Sequence, residues 1–140
     1  MEKRLVDDIF LLKQRCTFKI EDLSAEAGLS PREMTAIESM TPGERVSGNE
    51  LSRRMELSPS RGSRIIEQLI RNGCLERETD PHDRRAVLIS LSERGGEQKR
   101  KIDALKDDCE RLLLSRLEGD QLDRVREGMG ILLRVMEPIH

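Results

Sequence analysis

Residues 50–95 read ELSRRMELSPSRGSRIIEQLIRNGCLERETDPHDRRAVLISLSERG, and the spacing of apolar residues in this stretch decides the fold. Just ahead of it, Ser47-Gly48-Asn49-Glu50 has the S-x-x-E pattern of a capping box. A short helix is expected to open there, with Leu51 and Met55 inward. Leu57-Ser58-Pro59 breaks that helix and starts another: Ser58 caps and Pro59 takes the first turn. Ile65, Ile66, Leu69 and Ile70 then form its inner stripe until Asn72-Gly73 stops it. Two helices joined by a tight turn, the second longer, predict a helix-turn-helix. After Gly73 the apolar period falls from about 3.6 residues to about 2. Cys74-Leu75-Glu76-Arg77-Glu78 reads as a strand and Ala86 to Leu91 as its partner, with Val87, Ile89 and Leu91 on one face. The polar segment Thr79 to Arg85 between them is expected to be a hairpin tip. A lone hairpin is marginal in water, so it must lean on the helices before it. The expected unit is a winged helix-turn-helix.

The flanks read as helices. Residues 2–27 lack Gly and Pro, and Leu5, Ile9, Leu12, Cys16, Ile20, Leu23 and Ala27 mark one face of a long helix. Gly28 supplies a left-handed stop, with Leu29 folding back. Ser30-Pro31-Arg32-Glu33 opens a second, short helix as a capping box with Met34, Ile37 and Met40 inward, and Thr41-Pro42-Gly43 ends it. Val46 is a minimal strand. Beyond the hairpin, Ser92 caps a helix striped by Ile102, Leu105, Cys109, Leu112, Leu113 and Leu117. Gly119-Asp120 breaks and recaps it, and Leu122, Val125, Met129, Leu132, Leu133 and Met136 continue on a last helix. A winged unit cannot cover both stripes, so an intersubunit bundle is expected. The fold class is therefore mostly α with a small β-hairpin wing (α+β). A single domain spans 1–140, with 1–28 and 96–140 as a helical dimerisation region and 30–95 as the DNA-binding region.

Composition narrows the function. The chain has 140 residues, enough for one domain with a core that needs neither disulfides nor a metal. The only aromatics are Phe10 and Phe18, which excludes modules that stack single-stranded bases on aromatic platforms. No apolar run exceeds that of Ala86-Val87-Leu88-Ile89 in length, far short of a membrane span, and no secretory signal opens the chain. Cys16, Cys74 and Cys109 form no C-x-x-C pair, which fits a reducing cytoplasm, and His82 and His140 lie in no metal-ligand spacing with them. His82 reads as an exposed turn residue. No Gly-rich phosphate loop, G-x-S-x-G or H-E-x-x-H occurs, so no enzyme, catalytic residue, metal or cofactor is expected. The formal charge of −2 hides an asymmetry. Residues 1–50 carry 7 basic and 10 acidic side chains, residues 51–101 carry 12 and 8, and residues 102–140 carry 6 and 9. A basic middle between acidic ends marks a local phosphate-facing surface.

On the helix from Ser58 to Gly73 the inward stripe leaves Ser60, Arg61, Ser63, Arg64, Gln68 and Arg71 outside. With Ser58, the small hydroxyls near its start allow close backbone approach, and the helix dipole there favours anions. Arg61 and Arg64 share a face, and an arginine so placed can grip guanine O6 and N7 with two hydrogen bonds. At the hairpin tip Arg84 and Arg85 suit the negative potential of a narrow minor groove, with Asp83 as a brace for one guanidinium.

The run from Glu50 to Gly95 resembles the core of the MarR family of bacterial and archaeal transcription regulators. The matching positions are Glu50-Leu51, Leu57-Ser58, Ser63-Arg64, Leu69, Gly73, Leu75, Asp80, Asp83-Arg84-Arg85 and Leu91-Ser92-x-x-Gly95, with weaker similarity at Gly28-Leu29-Ser30-Pro31 and in the flanking helices. The resemblance implies a homodimer with interlocked terminal helices that sets two winged domains on a pseudo-palindromic operator. It makes Ser58–Gly73 the recognition helix, Arg85 the wing arginine and Asp83 its orienting carboxylate. Gly62 departs from the family, which usually has a small aliphatic side chain there, so the helix is expected to be looser or seated closer. The scarcity of aromatics in the first helix argues against an aromatic-acid ligand.

The function expected is a sequence-specific, double-stranded-DNA-binding transcriptional regulator, a repressor, released from its operator by a small-molecule effector of unknown identity. Two alternatives stand beside it. One is a thiol-based redox sensor of the same fold using Cys16, against which Cys16 on the apolar stripe reads as a buried structural thiol. The other is a winged-helix protein-interaction module without DNA affinity.

Overall fold

The computed structural model describes residues 2–138, and of residues 17–19 the backbone only. His140 and the Phe18 side chain thus lie outside the described residues. The elements in chain order are α1 (Leu5–Ala27), α2 (Pro31–Glu38), β1 (Val46–Ser47), α3 (Gly48–Arg54), α4 (Pro59–Arg71), β2 (Leu75–Asp80), β3 (Asp83–Leu91), α5 (Glu93–Arg116) and α6 (Gln121–Val135). The chain forms two compact units, Met1–Ile102 and Asp103–His140.

The first unit holds the core. Fully buried Ile37, Leu51, Leu69 and Leu75 come from α2, α3, α4 and β2, and Met40, Val46, Ile66, Ile89 and Ile102 join them. Removing each of the larger side chains from water contributes about 2 kcal/mol. Cys74 is buried among them, and burial pushes its thiol up, which makes it a packing residue. Leu23 and Ala27 of α1 pack on the same cluster.

Local signals work as the sequence requires. Gly28 takes φ 70°, and Leu29 folds back and is buried. Ser30 and Glu33 close a reciprocal capping box, with the Ser30 Oγ accepting from Glu33 N at 3.2 Å and Glu33 Oε1 accepting from Ser30 N at 3.2 Å. The box predicted at Ser47 is only half formed. Ser47 Oγ accepts from Glu50 N at 3.1 Å, while the Glu50 carboxylate turns to Arg53 and Arg54. A guanidinium outcompetes a backbone N–H for a carboxylate. Ser92 caps α5 through Gly95 N at 3.0 Å. Gly119 breaks the chain with φ 56°, but Asp120 makes no side-chain cap; Gln121 Oε1 accepts from Glu118 N at 2.7 Å instead.

The sheet is antiparallel with order β1-β3-β2, so Val46 and Ser47 add a third strand opposite Ile89 and Leu88. The hairpin tip differs from expectation. The strands run to Asp80 and from Asp83, which leaves Pro81-His82 as the turn, with His82 exposed. Asp80 Oδ1 accepts from His82 N at 2.8 Å, and that bond tightens the tip into two residues.

Outside the core, the long helices carry apolar side chains into solvent. On α1, Leu5, Phe10, Leu12 and Ile20 are exposed, and so is Cys16, which corrects the expectation of a buried thiol. Of the stripe that contains Cys16, Leu23 and Ala27 pack on the core, while Leu5, Leu12, Cys16 and Ile20 stay exposed. In the second unit, α6 has no buried residue, and Val125, Met129, Leu133 and Met136 are exposed. Among the described residues no helix is long and apolar enough to cross a membrane.

Candidate nucleic-acid interface

The helix α4 is positioned by its cap and by a glycine. Ser58 Oγ accepts from Arg61 N at 3.4 Å and lies 3.4 Å from Ser60 Oγ, so part of its hydrogen-bonding capacity serves the cap. One turn on, Gly62 is buried against α3. A Cβ placed on it would stand 1.8 Å from Ser52 Oγ and 2.4 Å from Ser52 Cβ, far inside van der Waals contact. Of the two outcomes expected at Gly62, the structure shows the closer seating. At the far end of α4, Asn72 Nδ2 donates to Glu33 Oε2 at 3.2 Å.

This seating leaves Ser60, Arg61, Ser63, Arg64, Gln68 and Arg71 exposed on α4, as the periodicity requires. From Pro59 to Ile66 the helix holds two arginines and no carboxylate. Among the described residues no ion pair engages Arg61, Arg64, Arg84 or Arg85, whereas Arg45, Arg53, Arg54 and Arg77 all bind carboxylates. The unpaired guanidinium groups on α4 and at the wing leave positive charge uncompensated where a phosphate chain can supply the counter-charge.

The wing presents its arginines through a bulge. Pairing runs regularly from Leu75↔Leu91 to Thr79↔Val87 and then jumps to Asp80↔Asp83. That jump leaves Arg84, Arg85 and Ala86 with no residue opposite, and such bulges re-aim side chains. Asp83 does not brace a guanidinium as expected. Its Oδ1 accepts from the backbone N–H of Arg85 at 3.0 Å, which fixes the main chain of the bulge and leaves the arginine side chains free. The two aspartates flanking Pro81-His82, each able to close an Asx turn, were the signal in the sequence for so short a tip.

Between α4 and the sheet lies an open cleft of ≈ 230 Å³ with Ile66, Ile70, Val87 and Ile89 as apolar lining and Ser63 at its edge. Ser63 therefore faces the wing side of α4. Glu67 of α4 and Arg77 of β2 line the same cleft and meet at 2.8 Å. On the opposite side of the sheet Arg45 and Glu78 pair at 2.8 Å. Sequence reading found neither pair, because no local spacing links residues on different elements.

A third ion pair ties the end of α3 to the loop between α2 and β1. Arg54 binds the Glu44 carboxylate and donates to the Ser39 carbonyl at 2.8 Å. The Arg54 guanidinium and the Thr41 N–H, which donates at 3.0 Å, hold the Glu44 carboxyl at about 2, well below its ordinary 4.5.

Known proteins share this fold. The MarR family model matches residues 27–86, which span α2 to the wing. Residues 27–86 belong to the MarR family. The chain is 24% identical to the HTH-type transcriptional regulator ML2140 of Mycobacterium leprae, over 97% of this chain and 95% of that one. It is 32% identical over 92 residues to the transcriptional repressor MprA of Escherichia coli K12, covering 64% of this chain and 52% of MprA. Among solved structures, a MepR–DNA complex from S. aureus superposes with a TM-score of 0.82 at 14% identity, over 96% of this chain and 100% of that one, which establishes the shared fold. The matched residues form the helix-turn-helix and wing of a winged-helix fold shared with these proteins.

Proposed function

We propose that the protein acts in the cytoplasm as a homodimeric repressor that binds a pseudo-palindromic operator and leaves it when a small-molecule effector binds. The observation that carries the reading is the set of unpaired arginines: Arg61 and Arg64 on α4, and Arg84 and Arg85 in the wing bulge. In this reading α4 enters a major groove, where Ser58, Ser60 and Ser63 approach the backbone closely and Arg61 and Arg64 read base edges. The wing lies in the adjacent minor groove, with Asp83 holding the bulge that aims Arg84 and Arg85. Two half-sites lie about 34 Å apart, one helical turn. Residues 30–95 do the binding. Residues 1–28 and 96–140 pair two copies, and the exposed apolar faces of α1 and α6 support that role, since solvent contact over so much apolar surface is unfavourable. The repressor MprA and the DNA-bound MepR are similar proteins that support the same reading.

Enrichment of random duplexes on the purified protein, repeated with Arg64→Ala, tests it. The substitution weakens the selected duplex by about 1–3 kcal/mol and relaxes its sequence preference. Failure of the wild type to enrich any duplex favours the protein-interaction module. The exposure of Cys16 favours one further reading, a thiol-sensing regulator of the same fold. It requires that peroxide abolish duplex binding in the wild type and spare Cys16→Ser.

A further inference from the structure

We infer that the ion pair between Glu67 and Arg77 is a strap that sets the angle of the wing against α4, which makes both of them positioning residues for DNA binding. The inference rests on the reading of α4 and the wing as the two DNA-contacting surfaces. Arg77 Nη2 donates to Glu67 Oε2 at 2.8 Å, one residue from each wall of the cleft between helix and sheet. The cleft is ≈ 230 Å³ of open space, and Val87 on its wall stays 45% exposed. Buried Ile66 and Leu69 of α4 share the core with Leu75 and Ile89 of the sheet at the base of the cleft, while in its open part there is no packing to fix how far the walls splay. The ion pair spans that gap. Successive residues of a strand point to opposite faces, so Glu78 reaches the other side and holds Arg45 at 2.8 Å. Strand β2 is thereby tied on both faces at its middle, and beyond those ties the ribbon runs to the bulge that carries Arg84 and Arg85. A small change of angle at the base becomes a larger displacement at the tip. Glu67 and Arg77 are both about half exposed, so the pair adds little to folding stability, and its loss is expected to show in binding.

The test uses the full-length protein and a duplex selected from a random-sequence pool. Affinities at fixed salt are measured for the wild type, Glu67→Gln, Arg85→Ala and their combination, for the charge-swapped pair Glu67→Arg with Arg77→Glu, and for Arg64→Ala, with thermal midpoints alongside. Removing a carboxylate near a polyanion tightens binding if charge alone matters. The strap demands the opposite sign. Glu67→Gln weakens binding by about two- to fivefold with its thermal midpoint unchanged. Arg85→Ala then costs less in the Glu67→Gln background than in the wild type, and the charge-swapped pair recovers most of the affinity. Equal or tighter binding by Glu67→Gln, or full additivity with Arg85→Ala, overturns the strap. If Arg64→Ala still weakens binding in that outcome, the DNA-contact reading stands and only the strap falls; if Arg64→Ala has no effect, both fall.

Discussion

Substituting Gly62 by alanine adds one methyl group where α4 crosses α3, and the structure sets its cost. The new Cβ would lie 1.8 Å from Ser52 Oγ, so that atom must retreat by about 1.6 Å to reach ordinary contact near 3.4 Å. Rotating Ser52 moves its hydroxyl and breaks the bond it donates to the Gly48 carbonyl at 2.8 Å. Rotation cannot move Ser52 Cβ, at 2.4 Å from the added methyl, so the two helices must part. Overpacking of this kind costs about 3 kcal/mol, the upper end of its usual range, because the obstruction is next to the backbone. Alanine returns about 1 kcal/mol through its higher helix propensity. The net loss is about 2 kcal/mol, which lowers the thermal midpoint of a chain this long by about 6–8 °C. Urea unfolding and thermal melts of Gly62→Ala measure it directly. The double variant Gly62→Ala with Ser52→Gly removes both the hydroxyl and Cβ of residue 52 and is expected to recover most of the loss. A Gly62→Ala protein as stable as the wild type, or more so, would refute the close seating of α4 on α3.

Three other expectations follow from particular contacts. Gly95→Ala puts a Cβ 2.0 Å from the Cys74 carbonyl oxygen, a backbone atom that cannot rotate away, so this variant is destabilised by at least as much as Gly62→Ala in the same melts. Glu44 titrates at about 2 in the folded chain against 4.5 ordinarily, so its stabilisation is complete above pH 4.5 and drains away as pH falls toward 2. The gap in thermal midpoint between wild type and Glu44→Gln should therefore narrow between pH 5 and 3; a gap that stays constant there rules out the Arg54–Glu44 contact as its source. Arg85→Ala should lower affinity for selected and unselected duplexes alike and flatten the salt dependence by about one counterion, read from binding isotherms across salt concentrations.

The order of elements was legible because each boundary is written in residues that act locally. Ser30-Pro31 and Ser58-Pro59 start helices, and Gly28 and Gly73 stop them, through hydrogen bonds and backbone angles that involve only near neighbours in the chain. The outward set on α4 followed from periodicity, since a helix with a buried stripe has one face left for solvent. The wing was less legible. Its arginines could be named, but the bulge that isolates them depends on how Thr79 and Asp80 pair across the ribbon, and register is a property of two strands together. The same holds at Asp83, whose carboxylate accepts from the backbone N–H of Arg85, a partner that a list of residue types does not show.

Sequence by itself determined the winged helix-turn-helix, the face of α4 turned to solvent and the arginines on it, all consequences of short-range spacing. Tertiary structure alone decided that Gly62 serves a close crossing with Ser52, that Glu67 reaches Arg77 and Glu44 reaches Arg54, and that Cys16 lies uncovered within one chain. Those facts depend on distances between elements, and such distances are set only when the whole core packs.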